Sequence, residues 1–238
     1  MSDSAADSGR AAARVEALSK RYGDRDALSE VDLEIATGQC FGLFGHNGSG
    51  KTTLLKILAG LIQPTSGHAS VAGFELPKQA ASVRRATSVL LDAPFIPRDF
   101  TLREGLHYYA DLYSQGVSNE AIDEVAERVG LAWRLRDPIR TFSRGMGQRA
   151  SLACVLLTTP EVLILDEPFT GLDREGCGLV ERIIGETVES GRTVILVTHE
   201  LERGARLCRD VAVLRQGRLV LSGGEGEWSD DQLVEALG

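Results

Sequence analysis

Apolar and polar residues alternate along Arg14–Arg21 and again along Asp32–Ile35, the period-two pattern of half-buried strands, with Gly23 and Asp24 marking a turn between them. Cys40–Phe44 is a short buried strand by its pattern and runs straight into glycines. Leu54–Leu61 keeps its apolar residues on one helical face, and Gln63–Gly67, with its proline and glycine, ends it. Ala69–Val71 and Ser88–Leu91 read as further strands. From Leu102 to Val129 the apolar spacing is helical, interrupted near Gly116–Asn119, and another helix is expected to begin near Ser143. Beyond Pro160 the pattern alternates strand, helix, strand, helix, strand through Val162–Leu165, Glu175–Glu189, Thr193–Val197, Leu201–Leu207 and Val211–Leu214. Such alternation predicts a mostly parallel sheet covered on both faces. Residues 93–157 break it with helices and are read as an inserted helical subdomain, so the expected organisation is a flexible start over 1–13 followed by one domain over 14–238.

Composition narrows the classes of function. A chain of 238 residues with 43% hydrophobic residues can bury a core of its own. Its formal net charge of −8 is the wrong sign for a protein that lives on phosphate backbones, so nucleic acid is a disfavoured partner. Cys40, Cys154, Cys177 and Cys208 are scattered singly, without a Cys-x-x-Cys pair, and are expected to be reduced thiols packed in a cytosolic protein. Met1–Ala13 is acidic and rich in small residues, unlike a signal peptide, and no apolar stretch approaches the roughly 20 residues that span a bilayer. If the protein works at a membrane, another chain supplies the span.

The densest chemical signal is Gly45-His46-Asn47-Gly48-Ser49-Gly50-Lys51-Thr52, followed by Thr53, which fits the Walker A pattern and lies between a predicted strand and a predicted helix. Glycines there let successive backbone N–H groups turn onto phosphate oxygens, and the helix N-terminus adds partial positive charge. Lys51 is expected to reach the β- and γ-phosphates of ATP and Thr52 to ligate Mg²⁺. The alternative is a glycine-rich turn. A second signal is the apolar strand Val162–Leu165 ending in Asp166-Glu167, since the carboxyl ends of parallel strands are where such sheets place ligands. Asp166 is the candidate holder of Mg²⁺, and Glu167 the candidate base or water-positioner for attack on the γ-phosphate. Thr193–Val197 leads to Thr198-His199, which puts His199 at a neighbouring strand end as a γ-phosphate contact or as an ordinary structural histidine.

With these motifs the sequence resembles an ABC (ATP-binding cassette) ATPase from about Val15 to Gly224. That family carries a Leu-Ser-Gly-Gly-Gln signature before the carboxylate strand. Phe142-Ser143-Arg144-Gly145-Met146-Gly147-Gln148-Arg149 stands here, keeping Ser143 and Gly145 but placing Arg144 and Met146 at the first glycine and the glutamine. The resemblance implies a P-loop NTPase core of α/β class, with an N-terminal antiparallel β subdomain and an inserted helical subdomain. It further implies that Ser143 and Gly145 face ATP held by a second copy, giving a homodimer with two ATPs at its interface. Tyr22 occupies the place of the ring that stacks on adenine, and Gly171-Leu172-Asp173 that of a dimer-contacting loop. Pro94–Tyr109 corresponds to the stretch that meets separate transmembrane permease subunits, where its aromatic residues either form a groove or pack the helical lobe. Asp92 stands where the family has a metal-contacting glutamine, and either approaches Mg²⁺ as an acid or caps a turn before Pro94.

The expected function is therefore ATP hydrolysis coupled to transport, on the cytoplasmic face of the membrane, resembling the stand-alone ATPases of bacterial exporters, including the haem-exporter type of cytochrome c maturation. The alternative is a soluble ABC ATPase acting in translation, on DNA or in complex assembly. Ribosome-binding members usually carry two cassettes and chromosome-organising ones long coiled coils, and this sequence has neither.

Overall fold

The computed structural model describes residues 11–91, 96–113, 116–224 and 228–238. Strands β1 (Ala11–Tyr22) and β2 (Arg25–Ala36) form a long antiparallel ribbon, which β4 (Ser66–Val71) and β5 (Phe74–Leu76) extend into a four-stranded antiparallel sheet of order β2-β1-β4-β5. The second sheet has six strands in the order β10-β9-β3-β8-β7-β6, where β3 is Cys40–Phe44, β6 Thr87–Leu90, β7 Val162–Asp166, β8 Thr193–Val197, β9 Asp210–Arg215 and β10 Arg218–Gly223. All its pairings are parallel except β9 with β10. The α/β fold is thus the expected one, with an antiparallel β layer on a mostly parallel sheet.

Alternation along the central strands explains why they are apolar throughout. Val162, Ile164, Ile195, Val197, Ala212 and Leu214 face the antiparallel sheet and helix α1 (Lys51–Leu58), while Leu163, Leu165, Val194, Leu196, Val211 and Val213 face the helices on the other side. Those helices include α3 (Leu102–Leu112), α4 (Asn119–Arg128) and α5 (Arg144–Leu157), which pack on one another and share one core cluster with the sheet. Each begins on a capping hydroxyl: Thr101 with Glu104 in a capping box, Ser118, and Ser143. Helices α6 (Arg174–Glu189) and α7 (Leu201–Leu207) make the crossovers between β7, β8 and β9.

Four elements lie outside the sequence reading: β5, β10, helix α2 (Ala80–Ala86) and helix α8 (Asp230–Leu237). Each is short, and α2 buries only Val83 and Ala86, too few apolar positions to show a period. Strand β1 starts at Ala11, inside the stretch expected to be loose, because Ala12 and Ala13 are buried and Ala11 and Ala13 pair with Ala36 and Ile35.

Candidate functional site

In the sheet order β8 lies between β3 and β7, so the loops leaving their carboxyl ends meet at one rim. β3 delivers the glycine loop, β7 Asp166 and Glu167, and β8 Thr198 and His199. The loop needs its glycines for space as well as for φ. Gly45 has φ +148°, and a Cβ there would lie 2.3 Å from the Leu214 carbonyl oxygen. Gly50, at φ +113°, turns the chain into α1, and Gly48 has φ +80°.

Lys51 folds back under this loop, donating from Nζ to the carbonyl oxygens of Gly45 at 2.5 Å and His46 at 3.0 Å. Burial lowers its pKa, and the nearby carboxylates of Glu167 and Asp166 oppose that shift. The Thr52 hydroxyl donates to Asp166 Oδ2 at 3.1 Å. Glu167 Oε2 accepts from the His199 backbone N–H at 3.3 Å and lies 2.7 Å from His199 Nδ1. The Glu167 backbone is left-handed, with φ +50°, an uncommon conformation for a side chain of this size, and its N–H donates 2.8 Å to the Val197 carbonyl.

An open cleft of about 680 Å³ is lined by Tyr22, Asn47, Gly48, Gly50, Lys51, Thr52, Thr53, Asp166 and Glu167, while His199, bonded to Glu167, lines a separate hollow with Glu200 and Arg203. Arg25, Ala27, Lys56 and Leu91 also line the cleft and escaped the sequence reading. Arg25 comes to the cleft through the hairpin register, standing across a two-residue turn from Tyr22. The His46 side chain takes another direction: its Nε2 lies 2.6 Å from the Leu237 carbonyl at the end of α8, and its own carbonyl accepts from Lys51. Asp92 lies outside the described residues.

A magnesium nucleotide fits what is present. Ser49 Oγ is buried without a hydrogen-bond partner, the kind of orphan a bound phosphate oxygen satisfies. Thr52 and Asp166 offer two hard oxygen atoms side by side. Among the described residues no cluster of three or more His, Cys, Asp or Glu side chains forms a metal cage.

Ser143 and Gly145 stand elsewhere. Ser143 caps α5, accepting from the Met146 N–H at 3.3 Å, and opens on a separate hollow of about 290 Å³ lined by Arg98, Ile139, Phe142, Ser143, Arg144, Gly147 and Gln148. A Cβ on Gly145 would lie 2.9 Å from the Gly171 carbonyl oxygen, so the start of α5 rests on the loop that follows the carboxylates. The hollow shares no residue with the large cleft. Of the stretch expected either to form a groove or to pack the helical lobe, Ile96 and Tyr109 are core residues at 3% and 4% exposure, so at these two positions the stretch packs the lobe. Gly105 leaves the room Ile96 needs, since a Cβ there would fall 2.2 Å from Ile96 Cγ2. Phe100 is half-buried and meets the exposed Tyr108 edge to face at 5.6 Å, whereas Pro94 and Phe95 lie outside the described residues.

A strand, glycine loop and helix with the lysine beneath the loop and a carboxylate strand one place removed define a P-loop nucleotide-binding protein. The family model described as ABC transporter matches residues 28–170, and the chain belongs to that family. It is 34% identical over 216 residues to the Nod factor export ATP-binding protein I of Cupriavidus pinatubonensis, a match covering 90% of this chain and 66% of that protein. It is 37% identical over 211 residues to the daunorubicin resistance ATP-binding protein DrrA3 of Streptomyces coeruleorubidus, covering 88% of this chain and 67% of that protein. The chain therefore spans about two thirds of the length of these relatives. A solved ATP binding subunit of an ABC transporter superposes with TM-score 0.86 at 28% identity, over 95% of this chain and 99% of that one. No helix among the described residues is long and apolar enough to cross a membrane.

Proposed function

We propose that this chain hydrolyses ATP as a peripheral subunit on the cytoplasmic face of a membrane, closing as a homodimer around two ATPs to power export through separate transmembrane subunits. The observation that carries the reading is the meeting of Lys51, Thr52, Asp166, Glu167 and His199 at the ends of three adjacent strands. Lys51 exchanges its two loop carbonyls for β- and γ-phosphate oxygens, and the loop amides from Gly45 to Thr53 hold the phosphate chain. Thr52 and Asp166 hold Mg²⁺, which supplies charge neutralisation on those phosphates. Glu167 orients a water and takes its proton as the water oxygen bonds to the γ-phosphorus and the bond to the leaving ADP oxygen breaks. His199 holds Glu167 in place at rest and faces the γ-phosphate when the nucleotide is bound. Tyr22 provides the ring on which adenine stacks.

Ser143 lines a hollow that shares no residue with the nucleotide cleft of its own chain, and Gly145 lines neither, which supports their use by a second copy. Export is supported by the likeness to the Nod factor export ATP-binding protein I of Cupriavidus pinatubonensis.

Sedimentation of Glu167→Gln with Mg-ATP tests the assembly. The expected result is a monomer without nucleotide and a dimer with it, and a polytopic membrane protein recovered with the tagged chain from its native membranes. A monomer in every condition, together with full ATPase activity, would sink the shared site. Recovery of ribosomes or DNA in place of a membrane protein would favour the non-transport alternative.

A further inference from the structure

The hairpin that supplies Tyr22 also supplies a cation to the cleft. Tyr22 and Arg25 are directly paired across Gly23-Asp24, and opposed residues of an antiparallel pair project to the same face. Both line the large cleft. The next pair along, Arg21 and Asp26, neutralises itself through a 2.6 Å ion pair. Arg25 has no such partner among the described residues, and its guanidinium extends over the glycine loop, with one Nη 3.6 Å from the place a Gly48 Cβ would occupy. Lys20, which does not line the cleft, sits 5.1 Å from the Tyr22 ring centre and is itself tied to the Gln63 carbonyl at 2.7 Å. The cations flanking the ring thus have different occupations: Lys20 is spent on the protein, and Arg25 is available to a ligand.

A nucleotide reaching from the Tyr22 ring to the loop above Lys51 puts its base at one end of the cleft and its β- and γ-phosphates at the other. Ribose and α-phosphate lie between, and Arg25 stands at that intermediate place. A guanidinium fork matches anionic oxygens rather than ribose hydroxyls. Resting on the ATP reading of this cleft, we propose that Arg25 is a further nucleotide-binding residue that holds the α-phosphate.

The α-phosphate is present in ATP and ADP alike and keeps its charge through hydrolysis. A contact to it binds ground and transition states equally, so it lowers KM and leaves kcat alone. The test is calorimetric titration of the purified chain with Mg-ADP, beside steady-state hydrolysis of Mg-ATP. For Arg25→Ala the Kd for ADP and the KM for ATP both rise about tenfold at low ionic strength, a change of about 1.4 kcal/mol, with kcat held. The gap narrows at high salt because the guanidinium is exposed, and Arg25→Lys recovers part of the loss. An unchanged melting temperature separates this effect from misfolding. Unchanged Kd and KM overturn the proposal, as does a fall in kcat with ADP affinity intact, which would put the guanidinium on the γ-phosphate. If the unsubstituted chain takes up neither nucleotide, the ATP reading itself fails. If it takes up both and Arg25→Ala does so equally, only the assignment of Arg25 fails.

Discussion

At the scale of single residues, the glycine loop is constrained by what lies behind it. Gly50 combines φ +113° with a neighbour that cannot yield easily, since a Cβ there would fall 2.5 Å from the Ala27 carbonyl oxygen and 2.9 Å from Leu28 Cδ2, both on β2. Gly178 and Gly185, on α6, have ordinary helical φ and open space where a Cβ would go. Alanine should therefore act in opposite directions at the two kinds of position. Gly50→Ala should destabilise the fold by about 1–3 kcal/mol and weaken nucleotide binding, whereas Gly185→Ala should stabilise it by about 0.5–1 kcal/mol through helix propensity. Chemical denaturation of the two variants checks the signs. A loss at Gly185 equal to that at Gly50 would remove the steric account. Glu167 shows the same logic reversed: a non-glycine residue is held at φ +50° by its N–H bond to Val197 and its carboxylate bond to His199.

At the scale of elements, the helical lobe and the sheet share one apolar cluster, joined through Ile96, Leu102, Leu106, Ala150 and Leu163. Gly105→Ala forces a methyl to within 2.2 Å of Ile96 Cγ2 and should cost about 1–3 kcal/mol by overpacking. Calorimetry should show one unfolding transition shifted to lower temperature, because the described apolar residues of the lobe belong to the same cluster as those of the sheet. Two resolved transitions would contradict the shared cluster. The sequence announced the strands β3, β7 and β8 clearly, since burial on both faces writes itself as an unbroken apolar run. It also announced Lys51, Thr52, Asp166, Glu167 and His199, because each sits at the end of such a run or inside a glycine pattern. It was silent on β5 and α2, whose three and seven residues carry no full period, and on Arg25, whose relevance depends on hairpin register. The fate of Ile96 was also hidden, because its burial depends on Gly105 nine positions away.

At the scale of the whole molecule, two sheets and a helical layer bring five reactive groups to one rim and leave the Ser143 end of α5 on another surface. The four cysteines are buried, Cys40 and Cys208 with sulfurs 3.3 Å apart, and burial pushes the Cys154 thiol up to about 12, so none is placed to act on the nucleotide. On the proposed reading the chemistry falls to Glu167 as base and Lys51 as phosphate ligand, the two groups that meet at the rim. Phosphate release from Mg-ATP by the purified chain, beside Glu167→Gln and Lys51→Ala, tests that division most directly. The account predicts turnover by the unsubstituted chain, a loss of at least about a hundredfold in Glu167→Gln with ATP still bound, and loss of both binding and turnover in Lys51→Ala. Substantial hydrolysis by Glu167→Gln would contradict it.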